Sequence, residues 1–79
     1  MTTMTEEQAT GIVEHVSFYE STVGARDRTV LFLQVSGQTR MFVFDADVRD
    51  HLPVGRSVKI HFAPAADEGT MTLLDRKLL

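Results

Sequence analysis

The segment TVLFLQVSGQTRMFVF, residues Thr29–Phe44, restricts the fold of this chain more than any other stretch. β-Branched and aromatic residues dominate it, and Ser36–Gly37 at its centre is a tight-turn dipeptide, so it reads as a β-hairpin. A hairpin with one face in water alternates apolar and polar residues. Here both parities are apolar, with Leu31 and Leu33 on one side of the first arm and Val30 and Phe32 on the other. Two situations produce that pattern. The strands coil in a small barrel and are buried on different faces along their length, or one greasy face is kept for a partner.

The length of the loop decides which residues share a face, because a slip of one residue moves every side chain to the opposite side. An odd loop puts Leu31 and Leu33 with Met41 and Val43, and Val30 and Phe32 with Phe42 and Phe44. A two-residue loop instead sets the leucines against phenylalanines and Phe32 against Met41. The odd loop is the expectation, since it gathers Gln34 and Arg40 at one polar end.

Four further elements surround the hairpin. TGIVEHVSFY (Thr10–Tyr19) reads as a first strand whose apolar residues change parity. Val13 runs with His15 and Tyr19, while Ile12, Val16 and Phe18 run opposite. That change requires a bulge or a glycine bend, which Gly11 can supply. ESTVGARDR (residues 20–28) is a loop. In DADVRDHLPVG, Asp45 or Asp47 can cap a short helical turn that carries Val48 and Leu52 and stops at Pro53. Val58, Ile60 and Phe62 then alternate with Ser57, Lys59 and His61 as a half-buried strand. TMTLL (Thr70–Leu74) is a last short strand, and DRKLL after it either closes the barrel or frays.

The expected fold class is therefore all-β: a small five-stranded OB-like Greek-key barrel with one short helical turn between strands 3 and 4. Residues 1–8 are expected to form a disordered tail and residues 9–79 a single domain.

Composition removes several function classes. The 79 residues allow one small core, and 43% hydrophobic content is too apolar for disorder. Without cysteine there is no disulfide and no thiolate metal site, which fits a reducing, cytoplasmic setting. The start, MTTMTEEQAT, lacks the basic and apolar regions of a signal peptide, and no apolar run is long enough to cross a membrane as a helix. A net charge of −3 opposes strong nonspecific nucleic-acid binding, which requires cations to neutralise phosphates.

GIVEHV, RTVLFLQVSGQTRMFVF, HLPVGRSVKIHFAP and TLLD together resemble the OB pattern over about residues 10–75, through their glycines and alternating apolar positions. HFAPAADEGTMTLLD is similar to the ending of the transport-associated OB (TOBE-like) domains of ABC importer ATPases. The chain also resembles S1-type barrels and the barrel of translation initiation factor one. The resemblance implies binding through the face of strands 2 and 3. The chain departs from the S1 type in its acidic charge, and from the importer ATPases in having no G-x-x-x-x-G-K-[ST] phosphate loop.

Phe32, Phe42 and Phe44 are the candidate aromatic face, with Arg26, Arg28 and Arg40 as its basic rim. Three roles are open to the rings: core, protein or self-association interface, or stacking platform for bases. His15 and His61 lie on strands expected to be neighbours, yet no metal-ligand spacing such as H-x-x-x-H occurs, and rim histidines are the plainer reading. Asp45, Asp47 and Asp50 look like turn and capping residues rather than a catalytic pair. No nucleophile motif is present. The expectation is a non-enzymatic binding module without cofactor or metal, acting away from membranes on a protein partner or a second copy. Single-stranded nucleic acid is the alternative. Small-anion binding at a subunit boundary by the STVG and SGQT segments is a further one.

Overall fold

Ser36 and Gly37 both adopt left-handed backbone, with φ of 52° and 81°. This is the geometry of a two-residue type I′ turn, whose twist matches the right-handed twist of the strands it joins. The expected odd loop is thereby corrected. Leu31 pairs with Phe42, Leu33 with Arg40, Phe32 with Met41, and Gln34 with Thr39. Leu31 and Leu33 thus share the core face with Phe42 and Phe44, while Val30 and Phe32 share the outer face with Met41 and Val43.

The computed structural model describes residues 5–20, 27–67 and 69–79. Five strands run in the order β1 (Glu7–Tyr19), β2 (Arg28–Val35), β3 (Gln38–Phe44), β4 (Ser57–Pro64) and β5 (Met71–Leu78). A 3-10 turn, Arg49–His51, lies between β3 and β4. The strands close into a barrel in the spatial order β1-β2-β3-β5-β4. Neighbours are antiparallel except β3 and β5, which meet in parallel at Phe44 and Met71. This is the all-β, OB-like barrel expected from the sequence.

β1 is the strand that makes closure possible. Its first half, Glu7–Ile12, pairs with β4, and Ile12–Tyr19 pairs with β2. A bulge between Val13 and His15 inserts Glu14, so Ala9 and Val13 point inward before it and Val16 and Phe18 pack inward after it. The parity change in the sequence is this bulge. Gly11 serves a different purpose: a Cβ there would lie 2.2 Å from the carbonyl oxygen of Gln34. It marks the place where β1 crosses β2 too closely for any side chain.

Two strand limits differ from expectation. β1 begins at Glu7 rather than Thr10, so Glu7 and Gln8 of the expected tail are paired with Phe62 and His61. Residues 1–4 of that tail lie outside the described residues. β5 runs on to Leu78, because residues 75–78 of the ambiguous DRKLL segment continue the ladder on β4. Where the β4–β5 register shifts between His61 and Phe62, the extra residue is Leu74 on β5, while Val58, Ile60 and Phe62 keep their alternation on β4.

The core comprises Leu31 and Leu33 from β2, Phe42 and Phe44 from β3, and Val58, Ile60 and Phe62 from β4, with Leu52 closing one end. Thr29 is the polar exception. Fully buried, its hydroxyl donates to the Ala46 carbonyl at 2.7 Å and accepts the Val48 N–H at 3.0 Å. One side chain thereby satisfies two backbone groups and ties the β3–β4 connection to β2.

Candidate binding face

Antiparallel partners share a face, so the register places Val30, Phe32, Met41 and Val43 together on the outside of the β2–β3 hairpin. β1 widens this surface. His15 lies opposite Phe32, with ring centroids 5.9 Å apart, and Tyr19 lies opposite Arg28. Met41 and Tyr19 are 63% and 59% exposed, and Val30, Phe32 and Val43 are half-buried. Phe32 is flanked on both sides, by His15 and by Met41, which explains how a phenylalanine on the outer face is still partly covered. Polar groups rim the patch: His15 Nε2 is 2.8 Å from Ser17 Oγ, and the Thr39 hydroxyl donates to the Glu14 carboxylate at 2.9 Å.

The aromatic face expected from the sequence is divided by the wall of the barrel. Phe32 remains outside. Phe42 and Phe44, 4% and 0% exposed, are core residues. Their rings stack at 6.3 Å, and Phe42 meets Phe62 edge-on at 5.1 Å. The basic rim is divided as well. Arg40 has the parity of Phe42 and lays its guanidinium 4.9 Å above that ring, on the side of the hairpin away from Phe32. Arg28 is engaged with Asp67 at 3.4 Å. Arg26 lies outside the described residues, as does the STVG segment.

Met41, Val43, Tyr19 and His15 are the face residues that sequence reasoning did not set beside Phe32, whereas Val30 was expected there. The Ser36–Gly37 dipeptide carried the signal, because two residues that tolerate positive φ favour the two-residue loop and thus the parity seen here.

The other candidate clusters have structural partners. Asp47 grips Arg49 through two side-chain hydrogen bonds, of 2.9 and 2.8 Å, and these hold its carboxyl below the usual carboxylate range. Arg49 also covers the Phe18 ring at 3.9 Å, fastening the 3-10 turn to β1. Asp45 accepts the Thr72 hydroxyl at 3.0 Å, beside the β3–β5 contact. His15 and His61 do not meet. His61 pairs with Gln8 and lies 3.6 Å from the Glu6 carboxylate, and no group of three metal-ligating side chains forms among the described residues.

An open cleft of about 350 Å³ lies between the 3-10 turn and β5, lined by Val48, His51, Leu73, Leu74, Asp75 and Arg76. Arg76 Nε is buried there with no hydrogen-bond partner.

Comparison of the chain with protein-family models, with curated proteins and with solved structures finds no match.

Proposed function

We propose that this barrel is a non-catalytic protein-binding module that acts through the outer face of β1–β3. The observation carrying this reading is the contiguous apolar surface of Phe32, Met41, Val30 and Val43, with Met41 63% exposed at its centre. Scattered exposed apolar residues are ordinary, but a connected patch of this kind with a polar rim is characteristic of an interaction surface. An aromatic and a methionine at the centre with polar groups around them is also the usual composition of a protein interface. The resemblance to transport-associated and S1-type barrels favours the same strands as the binding surface and says nothing of the ligand.

Charge favours a protein over a nucleic acid. Stacking on bases needs cations on the same side to meet phosphates. Arg40 lies on the opposite parity from Phe32, Arg28 is held by Asp67, and Glu14 and Asp45 flank the patch. The remaining support for single-stranded nucleic acid is the His15–Phe32 ring pair.

An amide-resolved titration with mixed-sequence single-stranded DNA and RNA, at low and at physiological salt, separates the two readings. The expected result is that the amides of residues 28–44 stay unmoved at both salts. Shifts centred on Phe32 and His15 that fade as salt rises would overturn the protein-binding reading in favour of the nucleic-acid one.

A further inference from the structure

The cleft between the 3-10 turn and β5 is built around a cation that has no counterion among the described residues. β5 meets β3 only at Met71 and Phe44, so the stretch of β5 beyond Met71 has a strand neighbour on its β4 side alone. Arg76 lies in that stretch, directly opposite Ile60 of β4. Antiparallel partners share a face, and Ile60 is core, so the Arg76 side chain leaves β5 from the inner side of the sheet. It lines the cleft, and its Nε is buried with no hydrogen-bond partner among the described residues. The ion pairs among those residues join other groups. Asp75 also lines the cleft, but its Oδ1 is turned to the backbone, where it accepts the Arg76 N–H at 2.8 Å.

A guanidinium stays charged, and its N–H groups form a planar fork. Native chains seldom bury such a donor unsatisfied, because stripping its water is costly and nothing offsets the loss. The fork fits both oxygens of a carboxylate. The other walls are largely apolar. Leu74 is the extra residue at the β4–β5 register shift, and a bulge re-aims the side chains beside it. Successive residues of a regular strand face opposite ways, yet Leu73 and Leu74 both line this cleft. Val48 lines it from the β3–β4 connection, and His51 adds a ring nitrogen. At about 350 Å³ the cleft falls at the small end of ligand sites, which span roughly 300–1,000 Å³.

We infer that this cleft binds a small organic acid, with its carboxylate bidentate on Arg76 and a branched or aromatic apolar body against Val48, Leu73 and Leu74. A bare inorganic anion would meet the arginine and leave the apolar walls uncovered. A neutral apolar molecule would cover the walls and leave the Nε–H unpaired. The site shares no lining residue with the outer face of β1–β3 and does not depend on what that face binds.

The test is an NMR titration of the nitrogen-labelled chain with isocaproate, with its neutral amide isocaproamide and with inorganic phosphate, at constant pH and ionic strength. It reads the side-chain Nε–H of Arg76 and the backbone amides of Val48, His51 and Leu73. The expected result is a saturating shift at each of them with isocaproate, half complete at about 1 mM, and a response to the other two probes weaker by about tenfold or more. Arg76→Lys keeps the charge and loses the planar fork, so it should weaken isocaproate binding about tenfold or more and leave the rest of the spectrum unchanged. An Arg76 Nε–H unmoved by isocaproate up to about 20 mM overturns the site. Equal affinity for isocaproamide overturns the carboxylate contact, and equal affinity for phosphate reduces the cleft to an adventitious anion site. Undiminished binding by Arg76→Lys overturns the bidentate role of Arg76; if that variant does not fold, the Nε–H of the unmodified chain decides alone.

Discussion

Replacing Gly11 by alanine tests the most demanding feature of the fold, the close crossing of β1 over β2. Gly11 does not adopt left-handed backbone, so alanine meets no conformational barrier there. In an open extended site the substitution would stabilise by about 0.4–1 kcal/mol, because it restricts the unfolded chain. At this site the new Cβ would lie 2.2 Å from the Gln34 carbonyl oxygen, 2.9 Å from its carbon and 3.0 Å from Leu33 Cγ. Carbon and oxygen approach comfortably at about 3.3–3.6 Å, so the strands must part by about 1 Å. The obstructing atoms are mainly backbone, which cannot rotate aside. Overpacking of this kind costs about 1–3 kcal/mol, occasionally more, and the rigid neighbours place Gly11→Ala at the upper end. A net loss of about 2–3 kcal/mol lowers the thermal midpoint of a domain this size by about 10–20 °C. Thermal unfolding followed by circular dichroism reads this directly. Gly37→Ala is the control: it meets open space and bears only the left-handed strain, about 1–2 kcal/mol. A Gly11→Ala midpoint equal to or above the wild-type value would refute the crossing.

Three further outcomes follow from the packing. Thr29→Val, nearly isosteric, strands the Ala46 carbonyl and the Val48 N–H and should cost about 1–3 kcal/mol in denaturant unfolding; a neutral result would mean that neither hydrogen bond matters. Phe42→Ala should cost about 3–5 kcal/mol, whereas Met41→Ala, measured at low protein concentration, should stay within about 0.5 kcal/mol, and equal losses would contradict the inside–outside assignment of adjacent residues. Asp47→Asn tests the clip on the 3-10 turn. Arg49 lowers the Asp47 pKa in the folded chain, so Asp47 adds stability above the ordinary carboxylate range and loses it as pH falls through the lowered value. The stability gap between wild type and the asparagine variant, small because the pair is exposed, should therefore close on acidification; a gap that widens would reverse the sign and refute the clip.

Much of the fold was legible because local pattern and global fold agree. Val58, Ile60 and Phe62 alternate as a strand with one buried face, and all three are core. Val48 and Leu52, spaced for one helical turn, both pack against the barrel. The change of parity in β1 pointed to a bulge or a glycine bend; a bulge at Glu14 is what forms, and Gly11, offered for the bend, permits a close approach instead. The ends of β1 and β5 were less legible. Their outer residues, such as Glu7, Gln8 and Lys77, are polar and exposed, and only pairing with β4 holds them in strands. Tertiary pairing of this kind leaves no periodic trace in the sequence.

The candidate site depended on a single discrete choice. In a hairpin that is apolar on both sides, composition gives no preference between faces, so the binding surface is decided by loop length alone. One more residue in the turn would have put Phe42 and Phe44 beside Phe32 in water and Met41 in the core. With Ser36 and Gly37 both left-handed, the larger rings go inside and the flexible methionine stays out.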